Sequence, residues 1–492
     1  MTMAEPLRPD GTEVRVGDVV VVSPGLTGQV EVLLPGTDGM RGAEDARLAL
    51  LRALARCDFT EQLSVRVIDP VEVPELASGA SRSTSLGEPA ISVEVPGPGS
   101  GLGQVVLAAD EEGALSWHLP DDVPPDEVPS RGGDRRTYTF RRAVAPPAEP
   151  GGSRGLIGAV GSKLLKVLVF PLIDPVLGKV GDHFAGRWEQ KNRNVRLRDF
   201  VDHRVAEAGP VDWQALGAGP ALLFVHGTAS QSHTGFHGVA PETLGTISAR
   251  YGGRVFAFDH HTLSVDPVAN ARWLVEQIPA GAGLTVDIVA HSRGGLVARA
   301  LCELADEVGL TADRMTVRTL VMVATPNAGT PLCSPTNITA WLDRMTNLLQ
   351  WVPDNGLTDA LDIVLTVAKQ VAVGALRGLD GLMAMDPKGQ FLVERLNKPA
   401  EHTVTYRAVA SNYDPVKGSG LLRSARNAST DVVFGLVPND LVVPTEGVFA
   451  ANGASAFPIA EPQVFEAADG IDHSGFWPDA RLVAALDRWL VG

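Results

Sequence analysis

The fold is decided by Leu284-Thr-Val-Asp-Ile-Val-Ala-His-Ser-Arg-Gly-Gly-Leu-Val-Ala-Arg-Ala300. Its first half, Leu284 to Ala290, is apolar and β-branched enough for a strand buried on both faces. From Arg293 onward the strand signal ends, and Leu296, Val297, Ala300 and Leu301 recur at helical spacing. A chain that turns this sharply from strand to helix has no room for side chains beside the turn. The positions two before and two after the centre must therefore be small, and they are Ala290 and Gly294. Ser292 at the centre is held in a strained conformation with its hydroxyl above the sheet. The next backbone N–H, that of Arg293, lies at a helix N-terminus.

Outward from this elbow the chain alternates regularly. Strands are predicted at Ala221–His226, Arg254–Asp259, Leu284–Ala290, Val317–Thr325, His402–Ala410 and Asp431–Leu436. Helices fall at Pro241–Tyr251, Pro267–Ile278, Arg293–Val308 and Asp479–Val491. Such an order predicts a doubly wound, mostly parallel sheet with helices on both faces. The interval of about 330–398 interrupts the rhythm with amphipathic helix, carrying Trp341, Leu342, Met345, Leu348, Leu349 and Trp351, then Leu361, Ile363, Val364, Val367 and Val371. It reads as a cap insertion, with extra core helices as the alternative; either would roof the strand ends where ligands bind.

A serine hydroxyl needs a base, and the base needs a carboxylate to fix its tautomer. On this architecture the chain order is Ser, then Asp or Glu, then His. Of eleven histidines only His402 and His473 follow Ser292. His402 opens a predicted strand, whereas His473 lies in a loop just before the last helix and is the candidate base. Asp440, in the loop Pro438-Asn-Asp-Leu-Val-Val-Pro444, is the candidate acid. Asp472 is adjacent in sequence to His473 and points away from it, Asp431 starts a strand at its far end, and Asp414 is more remote. An oxyanion needs donors, and the backbone N–H groups of Arg293 and Thr228 are placed to supply them. Gly227 lets the Thr228 loop turn toward substrate, while His226 reads as structural, bonding across that loop.

Val225-His-Gly-Thr228, Ala290-His291-Ser292-Arg293-Gly294-Gly295, Val323-Ala-Thr-Pro-Asn-Ala-Gly-Thr330 and Asn439-Asp-Leu-Val-Val-Pro444 together resemble the lipase-type α/β-hydrolases. That group includes bacterial triacylglycerol lipases and inositol-deacylase-like lipases, and the likeness covers about 218–492. The resemblance implies a serine esterase or lipase acting on ester or lipid substrates through Ser292, Asp440 and His473, with Thr228 and Arg293 as oxyanion donors and no cofactor. His226, Gly227, His291 and Gly294 fall within the matching motifs. Arg293 stands where many such lipases carry Met or Leu, which points away from purely apolar substrates. The first 150 residues resemble no lipase; the whole looks like bacterial multi-domain hydrolases.

Those first residues carry short β-like runs at Val14–Val22, Gln29–Leu34, Ser64–Val73, Ile91–Val95 and Gln104–Ala108, and one helix at Ala43–Cys57. Residues 1–145 are read as a β-rich accessory domain, a natural place for a protein partner. The glycine-rich run at 97–103 lacks the Lys-Ser/Thr ending of a phosphate loop and reads as a turn. Pro124 to Gly152 is Pro- and Gly-rich linker, with a strand candidate at Arg131–Arg142. Residues 146–217 read as linker and an apolar, basic helical segment packed on the hydrolase domain, 218–492. From Arg154 to Arg204 ten Lys/Arg face five Asp/Glu, a local +5, so peripheral contact of 155–200 with an anionic membrane is the alternative.

The 492 residues exceed one ordinary core. A formal charge of −16 argues against nucleic acid. Cys57, Cys302 and Cys333 have neither metal nor disulfide spacing. No secretory h-region and no span of about 18 uncharged apolar residues is visible, so a cytoplasmic location is expected. Asp259, His260, His261 and Asp266 could be imagined as metal ligands, but Asp259 ends a strand and no metal site is expected. Two other functions stay open from sequence: a non-catalytic scaffold on a hydrolase fold, or an acyltransferase, thioesterase or peptidase using the same residues.

Overall fold

The computed structural model describes residues 4–35, 44–73, 89–110, 114–121, 135–141, 163–172, 184–202, 204–205, 209–349, 358–374, 376–399, 403–413, 433–434, 437–454 and 457–490. These divide into two compact units. One holds the chain up to Phe184 together with Thr339–Arg377; the other begins at Ala185 and holds the elbow.

The first unit is built from antiparallel strands β1 (Glu5–Pro6), β2 (Val14–Val16), β3 (Val19–Val22), β4 (Leu26–Leu33), β5 (Thr60–Glu72), β6 (Pro89–Pro96), β7 (Leu102–Asp110), β8 (Leu115–His118), β9 (Arg135–Arg141) and β10 (Lys163–Pro171). A six-stranded sheet runs β1-β4-β5-β10-β7-β8, and a four-stranded sheet runs β2-β3-β6-β9. Val21, Val93, Tyr138, Val30, Val67, Leu165 and Val167 meet in one core to which both sheets contribute. The glycine-rich run is the turn from β6 to β7, with Gly99 and Gly101 in the left-handed region at φ 84° and 77°.

Two expectations are corrected here. The apolar run Leu164–Ile173 within 155–200 is not a helix where it is described: Lys163–Pro171 is an inner strand between β5 and β7. Its run is continuous because both faces are covered, which erases the alternation that distinguishes strand from helix. Leu164, Leu165, Val167, Leu168 and Phe170 are all buried, so they are not available to a membrane surface. Lys166, in the same strand, is buried and pairs with Glu61 at 2.9 Å. Likewise, the helical interval of 330–398 is not one piece. Helices Ile338–Leu349 and Thr358–Ala372 go mainly with the N-terminal strands, while Gly378–Lys398 stays with the elbow unit.

Specific contacts hold those helices to the first unit. Strand β8 is the sheet's last strand, and its outer backbone groups would be open to any passing strand. Asn347 instead accepts from Leu115 N–H at 3.0 Å and donates to its carbonyl at 2.7 Å. Asp343 accepts from Trp117 N–H at 2.6 Å, and Thr346 from the Trp117 indole at 2.8 Å. On the second helix, Asp362 receives Arg56 at 2.8 and 3.1 Å. The ammonium of Lys369 lies 5.3–5.8 Å from the rings of Phe59, Phe170 and Phe184, within cation–π range.

The second unit has strands β11 (Arg196–Asp199), β12 (Ala221–Val225), β13 (Val255–Asp259), β14 (Leu284–His291), β15 (Met315–Val323), β16 (Thr405–Ser411) and β17 (Gln463–Phe465). They form one sheet in the order β11-β13-β12-β14-β15-β16-β17. All neighbours are parallel except β11, which runs antiparallel to β13. From β12 the chain steps outward to β13 and then crosses to β14 on the other side, so the order reverses between β12 and β14. Loops leaving two neighbouring strands at such a point diverge and open a crevice. Phe224, Phe236, Val289, Val323, Phe465, Trp477 and Leu486 fill the core beneath it. This is a doubly wound, mostly parallel α/β arrangement. The strand expected at Asp431–Leu436 lies outside the described residues apart from Val433 and Phe434, which are helical, and β11 and β17 are additions.

Two outcomes follow for the first unit. Leu165→Ala should cost it about 2–5 kcal/mol, read as a lowered urea midpoint of that unit's transition. Burial pushes the Asp343 carboxyl up to about 7 from 3.8, against the lowering pull of Trp117 N–H and Arg344. Between these values the unfolded chain is ionised while the folded one holds its proton, so stability falls as pH rises and then levels off. Asp343→Asn should remove that slope between pH 4 and 7 and raise the midpoint at pH 8.

Candidate active site

The site begins where β14 delivers its last residue, His291, to the turn. Ser292 has φ of +51°, a left-handed value that a side chain adopts only when its surroundings enforce it. Its N–H is tied to Val323 O at 2.8 Å, and helix Gly294–Glu303 starts two residues later. Three glycines make the close approach. A Cβ on Gly294 would lie 2.4 and 2.5 Å from the carbonyl oxygens of Val225 and His226. One on Gly227 would lie 2.8 Å from Ser292 Cβ, and one on Gly295 2.0 Å from Thr325 Oγ1. The loop after β12 thus rests directly against the serine.

Ser292 Oγ is 3.0 Å from His473 Nε2, and His473 Nδ1 is 2.8 Å from Asp440 Oδ2. The other carboxylate oxygen, Oδ1, accepts the backbone N–H groups of Val442 and Val443 at 2.9 and 2.7 Å. The loop that carries Asp440 is closed by the Asn439–Pro444 bridge. It is tied to the end of β16 through Thr445 Oγ1, which donates to Ser411 O at 2.6 Å. His473 N–H in turn donates to Asp440 O at 3.0 Å. Ser292, His473 and Asp440 are 4%, 8% and 1% exposed, so little water competes for these bonds.

His291 braces His473. Burial, with His473 nearby, holds its imidazole down at about 3. Neutral, it can donate through Nε2 to His473 O, 2.9 Å away. His226 lies apart from the chain of Ser292, His473 and Asp440. Its Nδ1 faces Gly227 O at 2.9 Å, and its Nε2 accepts His260 N–H at 3.1 Å. Burial brings it down to about 4 against the opposing field of Asp259. It therefore pins the loop between β12 and β13 as a neutral ring.

The backbone N–H groups of Thr228 and Arg293 donate to no acceptor among the described residues. Thr228 Oγ1 donates to the Met385 thioether, at 3.9 Å. The Arg293 side chain, fully buried, turns into the protein: Nε donates to Gly381 O at 2.7 Å and Nη2 to Val265 O. Burial lowers it to about 10, with Glu189 and Asp266 opposing the shift. Its charge is spent on loop carbonyls, which corrects the inference that an Arg here disfavours apolar substrates.

The sequence reading missed Thr262, whose Oγ1 accepts the Ala229 N–H at 3.1 Å. Ala229 follows Thr228 and has φ of +56°. Nothing in the local sequence marks Thr262; its role exists only because β12 and β13 are neighbours. Asp259 accepts Ser232 N–H and Oγ–H at 2.8 and 2.6 Å, and Asp266 caps the helix Pro267–Gln277. Among the described residues no group of three His, Cys, Asp or Glu could hold a metal.

Gly294→Ala should destabilise this unit by at least the ~1–3 kcal/mol of an overpacked core, because its neighbours are backbone and cannot swing away. Gly245→Ala, in a helix with nothing within 4 Å of the new atom, should instead stabilise by about 0.5–1 kcal/mol. Thermal unfolding of the two variants decides.

No curated protein matches the sequence. Among solved structures, lipase BlEst2 of Bacillus licheniformis in mature form is 17% identical with a TM-score of 0.35, over 61% of this chain and 98% of that one. Lipase 1 from Pelosinus fermentans is 14% identical with a TM-score of 0.38, over 55% and 99%. The enol-lactonase from Burkholderia xenovorans LB400 is 12% identical with a TM-score of 0.31, over 61% and 96%. The model of a family described as a domain of unknown function, DUF7379, matches residues 190–491; this is well over half of the 492 residues, and the chain belongs to that family.

Proposed function

We propose that this protein is a serine hydrolase that cleaves carboxylic esters through an acyl-enzyme on Ser292. The observation that carries the reading is the unbroken hydrogen-bonded series from Asp440 Oδ2 through His473 to Ser292 Oγ, at 2.8 and 3.0 Å. Asp440 holds the proton of His473 on Nδ1, which leaves Nε2 as the base. As Ser292 Oγ attacks the carbonyl carbon, its proton passes to Nε2, and the carbonyl oxygen becomes an oxyanion. The free N–H groups of Thr228 and Arg293 receive that charge. Collapse expels the alcohol with the proton from Nε2; a water then repeats the sequence and releases the acid.

Substrate class follows from what surrounds the oxyanion donors. Met385, beside Thr228, belongs to the Gly378–Lys398 stretch that stays with the elbow unit. This stretch serves as the roof over the acyl group, and an apolar wall suits lipid or other acyl esters. The N-terminal strands serve as an accessory domain.

A fluorophosphonate probe should label Ser292 in the folded protein, and p-nitrophenyl esters should be turned over. Ser292→Ala should abolish labelling, and both it and Asp440→Asn should lower kcat by about 10⁴-fold or more. Turnover unchanged by Ser292→Ala would reject the mechanism.

A further inference from the structure

Glu189 lies outside the segment the sequence reading treated as the hydrolase domain, in helix Phe184–Asn192. Glu189 is 1% exposed, and no cation among the described residues is within salt-bridge distance of its carboxylate. Instead it is wrapped by one loop. Oε1 accepts the N–H groups of Thr262 and Leu263 at 2.6 and 3.0 Å and the Thr262 hydroxyl at 3.4 Å. Oε2 accepts Ser264 N–H at 3.0 Å and its hydroxyl at 2.7 Å. A buried carboxylate is retained only when hydrogen bonds replace its lost water, and here one loop supplies all five.

That loop bonds to the residue after Thr228 and to the side chain of Arg293. At one end, Thr262 Oγ1, donating to Glu189, has its lone pair free for Ala229 N–H at 3.1 Å. This fixes a residue in the left-handed region immediately after Thr228. At the other end, Val265 O accepts from the Arg293 guanidinium. Gly381 O, the second acceptor of that guanidinium, is packed so tightly on the loop that a Cβ on Gly381 would lie 2.5 Å from Thr262 O.

Resting on the serine-hydrolase reading above, we infer that Glu189 is a positioning residue for the oxyanion hole, acting through Thr262 and the loop 262–265 on the backbone N–H groups of Thr228 and Arg293. It touches no substrate. Through the hydroxyl of Thr262 it fixes the Thr228–Ala229 peptide at the Ala229 N–H, and with it the backbone that carries the Thr228 N–H one residue earlier. A donor displaced by about 1 Å loses most of its effect on an oxyanion that forms only in the transition state. Loss of the relay should therefore appear in kcat and leave KM nearly unchanged.

The test uses the full-length protein with p-nitrophenyl esters and a fluorophosphonate. Thr262→Val removes the acceptor of Ala229 N–H at equal size; kcat should fall about 10–100-fold with KM within threefold. Thr262→Ser, which restores the hydroxyl, should recover kcat to within threefold. Glu189→Gln, which keeps one acceptor oxygen, should show the same fall in kcat; it takes the place of Thr262→Val if that variant does not fold. A folded Thr262→Val or Glu189→Gln with wild-type kcat, or a Ser variant as poor as Val, overturns the inference. If wild-type protein is neither labelled at Ser292 nor active, it is the serine-hydrolase reading that fails.

Discussion

The elbow unit depends on backbone approaching backbone at the turn around Ser292. Two loops, one after β12 and one after β14, come so close that Gly227 and Gly294 have no space for a Cβ. The contact holds Ser292 at φ of +51°, and the N–H groups of Thr228 and Arg293 beside it have no acceptor among the described residues. Strain of this kind costs of order 1–3 kcal/mol and persists only when the surroundings over-determine it. Here the surroundings are the parallel strands themselves, since β12 and β14 pair along Ala221–Val225 and Val286–Ala290.

The polar groups near that turn are satisfied in a graded way. Asp440 has both oxygens engaged, by His473 on one side and two backbone N–H groups on the other. Burial keeps His226 and His291 neutral, so two of the three imidazoles beside the serine act as spacers and braces. Arg293 keeps its charge but directs it to carbonyls away from the serine. Each group is thus held by partners that would be left unpaired if it moved, and leaving a buried polar group unpaired costs about 1–3 kcal/mol.

The N-terminal unit shows the same economy of edges. Strand β8 would present open backbone groups, and side chains of a helix far along the chain occupy them. Asn347 both donates and accepts with Leu115, as a paired strand residue would. This explains why an amphipathic stretch read from sequence as a single insertion is divided in the fold: its polar residues at 343, 346 and 347 match strand β8, and its later apolar run, Ile363 to Ala372, is buried.

The sequence by itself determined whatever depends on local geometry. A buried strand, a small-residue turn and a helix could be read from Leu284 to Ala300, because the turn tolerates only those residue sizes; chain order together with loop position then pointed to His473 and Asp440 as candidates. Tertiary structure decided the rest. Lys163–Pro171 is a strand because β5 and β7 pair with both of its edges, and burial of both its faces removes the periodicity that would have announced it. The direction of the Arg293 side chain, the bond from Thr262 to Ala229 and the burial of Glu189 were invisible for a related reason. Each is a contact between residues brought together only by strand order, and no spacing along the chain encodes a neighbour across the sheet.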